Sequence, residues 1–314
     1  MLLEILGTRV LAPFFGIGLY VWTSLISVTL FSLAVGYYAG GLLADRQAPL
    51  PLLNLSLILA GLWILFVPII SPSITDISHR LGLKWGAILS SILLFSVPLF
   101  LLGTVIPFAV KISAKNLSLL GTSTGKIYAV STLGSLAGTL ITGFILIPNF
   151  HLSHILLFTA GILFFVSWIG YALEKRFIAT VISLVVGIIA LSVFLFAAKS
   201  FGKENPGVIY HAQSFYGDLK IVDYDMTTLL LVDNIVQTAV PKDETILRQK
   251  GCALSQKYYP ELLPYYNPHG KQAFLVGLGG GLIPELLSNY GVAVTSVELD
   301  PKVVNIAEQF FGFK

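Results

Sequence analysis

Charge is scarce in this sequence. Lys, Arg, Asp and Glu make up 11% of its 314 residues, under half the roughly 25% of a soluble globular chain. The shortage is uneven. Met1 to Ala198 holds nine basic and four acidic residues, and Lys199 to Lys314 holds ten and twelve. A charge-poor, basic first part therefore gives way near Lys199 to a part of ordinary soluble density. Cysteine is almost absent. Cys252 stands alone, which excludes an internal disulfide framework and fits a bystander thiol in a reducing compartment. Basic clusters on a soluble element are absent too, so the net charge of +3 does not point to nucleic acid. Met1 to Phe15 lacks a basic n-region and a small-residue cleavage site, so it does not read as a signal peptide.

Apolar sequence fills the space that charge leaves. A membrane-crossing helix needs about 20 largely apolar residues. Val10 to Ala44 carries no charge at all, and Pro13, Gly16 and Gly18 place a break ahead of a full span near Leu19–Leu43. Further spans are expected near Leu52–Ile70, Trp85–Val110, Ile127–Ile147, Leu152–Leu173 and Phe177–Ala198. Trp85–Val110 contains Pro98 and Pro107, which mark it as a candidate for a broken or re-entrant helix. Met1–Phe15 reads as the end of a seventh span that begins too late to cross. Gly36/Gly40 and Gly134/Gly138 each set two small residues on one helix face, where lipid-embedded helices pack closely. Glu4 and Arg9 are ionisable groups in an apolar setting, costly unless paired. Gly40-Gly41-Leu42-Leu43-Ala44-Asp45-Arg46 resembles the short cytoplasmic loop motif of major-facilitator transporters, where the Asp and Arg cap helix ends.

The expected location is the cell membrane, multi-pass. The positive-inside rule assigns the loops with Arg46, Lys111, Lys115, Lys126, Lys175 and Arg176 to the cytoplasm. Six spans then carry the soluble part to the opposite side. A soluble part that takes a ligand made in the cytoplasm would have to lie on the cytoplasmic side instead. A miscounted span, a failure of the charge rule or a different ligand would each remove that conflict.

The second part has two sections. Between residues 199 and 268, Tyr216–Val222 and Thr228–Asn234 read as two strands followed by a turn and Ile235–Val240 as a third, forming a small antiparallel sheet, and 243–259 as a helix before a proline-punctuated loop. From 269 to 314, Ala273–Gly277 is a short apolar run suited to a buried parallel strand. Gly277-Leu278-Gly279-Gly280-Gly281 is a turn, Ile283–Ser288 opens a helix, Val292–Val297 is a strand ending in Glu298-Leu299-Asp300-Pro301, and Val303–Phe311 is a helix. This is the opening half of a doubly wound domain. Glycines let backbone approach a ligand closely. An acid at the end of the second strand accepts hydrogen bonds from ribose hydroxyls, about 20 residues beyond the turn. Glu298 stands at about that spacing, and Leu282 stands where the dinucleotide fingerprint needs its third glycine. The pattern favours an adenosyl-sulfonium ligand over NAD. The fold class is thus an all-α multi-span membrane domain (1–198), a small β section (199–268) and a partial α/β, Rossmann-like section of the S-adenosylmethionine-transferase type (269–314).

Two blocks carry a family resemblance. One is Glu4–Arg9 through Trp22-Thr23-Ser24 to Gly40–Arg46, with Gly125–Ala129 and Thr132–Ser135. The other is Tyr216-Gly217, Leu231–Gln237, Asp243-Glu244, the glycine turn and Glu298–Asp300. Over nearly its whole length the chain resembles the membrane-fused spermidine synthase-like proteins. The resemblance implies aminopropyl transfer from decarboxylated S-adenosylmethionine to an amine, with no metal. It implies that Gln237 touches the cofactor, that Gly277, Gly279 and Gly281 line it, and that Glu298, with Asp300 beside it, holds the ribose. The lipid bilayer and a small-molecule amine are the implied partners. The chain departs from the family at Leu247 and Arg248, where a tyrosine and a histidine are usual, and at Leu282, where an aspartate is common. The family's catalytic aspartate lies further downstream than Lys314, so the expectation is a fragment with no catalytic residue of its own. Three readings stand: an aminopropyl- or methyltransferase-like protein, a non-catalytic binding or regulatory protein, and a transporter-like bundle for polyamines or another small molecule.

Overall fold

The computed structural model describes residues 1–46, 48–113, 120–174, 177–201, 207–233, 235–242 and 269–313; the side chains at 120, 193, 194 and 196–201 fall outside that set. Cys252, the expected helix at 243–259 and the departures at Leu247 and Arg248 lie outside the described residues. The chain divides into two compact units, Met1–Lys203 and Glu204–Lys314.

Unit 1 is helical: α1 (Leu2–Phe15), α2 (Leu19–Arg46), α3 (Pro49–His79), α4 (Gly82–Ser113), α5 (Leu120–Ile141), α6 (Leu152–Leu173) and α7 (Phe177–Phe201). Five described helices are long and apolar enough to cross a membrane: Leu19–Arg46, Pro49–His79, Gly82–Ser113, Gly121–Asn149 and Leu152–Leu173. The expected sixth span lies within α7, where Phe177–Ser192 is a shorter apolar helix among the described residues. The length and composition of these helices are compatible with a multi-pass membrane protein.

Helix α1 ends where glycine permits it. Gly16 takes φ 71°, a left-handed conformation that L side chains rarely adopt. Fourteen residues make α1 only ~21 Å long, yet its Leu6 and Leu11 are fully buried in the core with Leu25, Ile64, Leu94, Phe95 and Leu156. Gly7 allows this seat, because a Cβ there would come within 2.7 Å of Leu25. Glu4 and Arg9 are both half-buried on this helix.

The broadest helix contact is α2 on α4, and glycines set it. A Cβ on Gly36 would collide with the Phe100 carbonyl, and one on Gly40 would lie 2.7 Å from Thr104 Cα. Gly103 faces them from α4, 3.2 Å from Gly36 Cα as measured from a built Cβ. Gly134 and Gly138 have nothing within 4 Å among the described residues, so the second small-residue face meets no partner there. Asp45 ends α2 in an ion pair with Lys111 at the end of α4, 2.8 Å apart. Both side chains are more than half exposed, and such a pair contributes little. Helices α3 and α6 are joined by polar contacts: the Ser167 hydroxyl donates to the Asn54 carbonyl at 2.9 Å, and Gly170 leaves room for the Asn54 amide.

Helix α4 runs unbroken through Pro98 and Pro107, as the expected full span and not the broken or re-entrant alternative. A proline cannot donate to the carbonyl four residues back, and in an apolar surround that carbonyl needs another donor. For Pro98 the deprived carbonyl is that of Leu94, and the Trp63 indole of α3 donates to it at 2.9 Å. Trp63→Phe is therefore expected to destabilise unit 1 by about 1–3 kcal/mol, the cost of a buried acceptor left unmet. Pro98→Ala restores the missing amide donor, so the double substitution is expected to lose less than Trp63→Phe alone. Thermal unfolding in detergent measures this cycle, and simple additivity of the two losses would rule out the compensation. Beyond α5 the helical path continues through a wider turn at Thr142–Leu146 and then Ile147–Asn149. It widens just ahead of Pro148, whose ring clashes with a regular α-helical path.

Unit 2 begins with an antiparallel meander in the order β1-β2-β3-β4: Val208–Gln213, Asp218–Tyr224, Thr227–Val232 and Ile235–Pro241. Strand β1 was not among the expected strands. Asp233, where a turn is expected ahead of the strand that starts at Ile235, turns the chain at φ 50°, and its carboxylate accepts from the Asp218 amide at 3.0 Å. A β-bulge lies on β4. Leu230 pairs with Thr238 and Leu231 with Val236, which leaves Gln237 as the extra residue. Strands β5 (Gln272–Val276) and β6 (Ala293–Val297) pair in parallel, connected through α8 (Leu282–Asn289), and β6 leads into α9 (Pro301–Phe310). Val303 and Ile306 of α9 pack on Leu219, Ile221 and Leu230 of the meander, and Tyr210 lies 5.1 Å from Phe310, ring to ring. The β5–β6 pair leaves Phe274, Val276, Val297 and Leu299 exposed.

Candidate functional site

The turn after β5 owes its path to three glycines. Gly277, Gly279 and Gly281 have φ 91°, 57° and 81°, so alternate residues adopt a left-handed conformation that other residues enter only with strain. These are the three glycines the sequence assigns to the ligand cradle. Gly280 is small for a different reason: a Cβ there would lie 2.7 Å from Thr238 Cγ2. Leu278 and Leu282 are buried, which anchors the turn to the core while its backbone stays at the strand ends. The Gly281 carbonyl accepts the first helical bond of α8 from the Glu285 amide at 3.2 Å.

Glu298 closes the site from the end of the neighbouring strand. Its Oε2 accepts from the Leu278 amide at 2.7 Å. Its Oε1 accepts from the Leu299 amide at 2.8 Å and the Asp300 amide at 3.1 Å. The carboxylate thereby ties the turn after β5 to the end of β6. Partial burial raises the Glu298 carboxyl, but backbone amides of Leu278, Asp300, Leu299 and Gly279 outweigh it and hold the group below its ordinary range. The ionised Glu298 sits at the carboxyl ends of two parallel strands, with its acceptor sites already largely met by these backbone amides.

The other assigned residues fall differently. Asp300 is 5% exposed, and its Oδ1 accepts from the Lys302 amide at 2.9 Å. It caps α9, a structural duty that its neighbour Glu298 does not share. Gln237 is exposed on the β4 bulge, next to Thr238, which touches the turn. Thr238 itself is the residue that sequence reasoning passed over. It is 3% exposed, and its Oγ1 accepts from the Gly280 amide at 2.8 Å. A lone threonine in a strand carries no local signal of such a contact, because the partner lies 42 residues away.

A cleft of about 490 Å³ opens beside Glu298, walled among others by Leu278, Glu285, Ser288, Ser296 and Phe313. A larger cavity of about 940 Å³ lies in unit 1 between α2, α3 and α4. Its walls are apolar apart from the hydroxyls of Ser27, Ser32 and Ser96 and the Trp63 indole, so it has no charged group to meet a cation. The cleft in unit 2 carries two carboxylates, those of Glu285 and Glu298; its walls include Leu278 of the turn but not Gly277, Gly279, Gly281 or Gln237. Comparison with protein-family models, curated proteins and solved structures gives no match.

Proposed function

We propose that unit 2 holds an adenosyl sulfonium ligand, S-adenosylmethionine or its decarboxylated form, at the glycine turn. In this reading the chain is a membrane-bound relative of the spermidine synthase-like proteins, and β5 to α9 is the opening of a Rossmann-like domain. The observation that supports it most is the pairing of an ionised Glu298 with the Leu278 amide at the ends of adjacent parallel strands. Glu298 accepts the ribose hydroxyls, the turn at Gly277, Gly279 and Gly281 lets the ligand approach the backbone, and Gln237 reaches it from β4.

The reaction class of the family it resembles is aminopropyl transfer. An amine nitrogen attacks the carbon beside the sulfonium, the C–N bond forms as the C–S bond breaks, and the electron pair stays on sulfur as a neutral thioether. The nitrogen then gives up a proton to a base. Positioning and proton removal are the protein's share of this chemistry. The cytoplasmic side, where such ligands are made, is the proposed location of unit 2. The transporter reading draws on the unit 1 cavity, whose uncharged walls favour an apolar solute over a polyamine.

Equilibrium dialysis of the whole chain in detergent against S-adenosylmethionine, its decarboxylated form, 5′-methylthioadenosine and NAD tests the proposal. Saturable uptake of an adenosyl ligand in preference to NAD is expected. Absence of saturable uptake for all three adenosyl ligands sinks it.

A further inference from the structure

We infer that Thr238 is a positioning residue, setting through its hydroxyl the turn conformation in which an adenosyl ligand is received; this rests on the reading above. The turn has a soft backbone. Three of its five residues are glycines at positive φ, and glycine has more conformations to lose than any other residue. Ordering such a segment at the moment of binding lowers affinity, and ordering it beforehand removes that cost. Glu298 holds one end of the turn, at the Leu278 amide. Thr238 holds its middle, at the Gly280 amide.

The fit is steric as well as polar. A Cβ on Gly279 would lie 2.8 Å from Thr238 Oγ1, and one on Gly280 would lie 2.7 Å from Thr238 Cγ2. The middle of the turn thus rests on Thr238, while Phe311 lies against Gly280 and Phe313 against Gly281. The β4 bulge makes the contact possible. Side chains alternate faces along a strand, so an unbulged β4 would put Thr238 on the same face as Val236. The extra residue, Gln237, reverses that parity and sets Thr238 opposite Leu230, whose side chain is in the core with α9. One irregularity therefore serves two ends: it turns Thr238 toward the glycine turn and presents Gln237 next to it.

The test uses the full chain in lipid nanodiscs and two variants. Thr238→Ser keeps the hydroxyl, and Thr238→Val keeps the shape but removes the acceptor. Equilibrium dialysis reads affinity for S-adenosylmethionine and 5′-methylthioadenosine, and hydrogen exchange reads the backbone of the 277–285 segment without ligand. Thr238→Val is expected to weaken binding about tenfold, the scale of one buried hydrogen bond, and to speed exchange in that segment. Thr238→Ser is expected to restore both to near the original values. Unchanged exchange and affinity in Thr238→Val would overturn the inference, as would an equal loss in Thr238→Ser, which would assign the effect to methyl packing. Should the unsubstituted chain take up neither ligand, the adenosyl reading fails by itself. Exchange then decides the positioning role: faster in Thr238→Val alone supports it, and equal rates in all three chains reject it.

Discussion

Gly36→Leu is expected to unseat α2 from α4 and to cost unit 1 about 3 kcal/mol, the upper range for overpacking a tight contact. The argument is steric. Even a single added carbon at Gly36 meets the backbone carbonyl of Phe100 and approaches Gly103 Cα. Backbone cannot swing aside as a flexible side chain can, so the helices must separate. Separation also breaks the neighbouring Gly40–Thr104 contact, and in lipid such close packing is itself the main attraction between helices. Gly134→Leu carries the same chemical change into open space, since nothing among the described residues lies within 4 Å of Gly134. It is expected to shift stability by less than about 0.5 kcal/mol. Thermal unfolding of both variants in one detergent checks the contrast. Equal losses would show that the α2–α4 contact is not the special one.

If unit 2 binds an adenosyl ligand as proposed, Glu298→Ala is expected to lower that affinity about 100-fold. Two ribose hydroxyls donating to a carboxylate contribute about 1.5 kcal/mol each, and together that is about two decades. The same substitution strips the acceptor from the amides of Leu278, Leu299 and Asp300, so the turn loosens as well. Glu298→Gln keeps one carbonyl acceptor and is expected to fall between. Acidity provides a second measurement. The Glu298 carboxyl is held below its ordinary value, which for a glutamate is about 4.3. A depressed group contributes fully above the ordinary value and loses its contribution as pH falls through the depressed one. Binding is therefore expected to stay level from about pH 8 down to about pH 5 and to fall only in more acidic solution. Dialysis across that range checks it. A midpoint near neutrality would mean a raised carboxyl and would contradict the amide contacts.

Much of this organisation was legible in the chain's local pattern. Uninterrupted apolar length marks the spans of α2, α3, α4 and α6, because crossing hydrocarbon depends on composition over some 20 residues. The glycine spacing at 277, 279 and 281 and the acid at 298 mark the turn and its partner, because a left-handed backbone and a strand-end acceptor each demand a residue type at a set place. Strand β1 is not among the strands read from the sequence, since Val208–Gln213 includes His211 and Gln213 and lacks the sustained run of β-branched residues that marks a strand.

Contacts between distant residues were not legible. Gly36/Gly40 and Gly134/Gly138 are the same motif, and only the arrival of α4 distinguishes the packed pair from the open one. Pro98 marks a candidate break until Trp63, 31 residues from Leu94, supplies the missing donor. Thr238 is an ordinary strand residue until a bulge sets it beneath Gly280. By itself the sequence determined what each segment is able to be, because propensity and periodicity act over a few residues. The tertiary structure alone decided which small face is filled, which proline is tolerated and what holds the turn. Each of those depends on steric room and hydrogen-bond partners that come from another element.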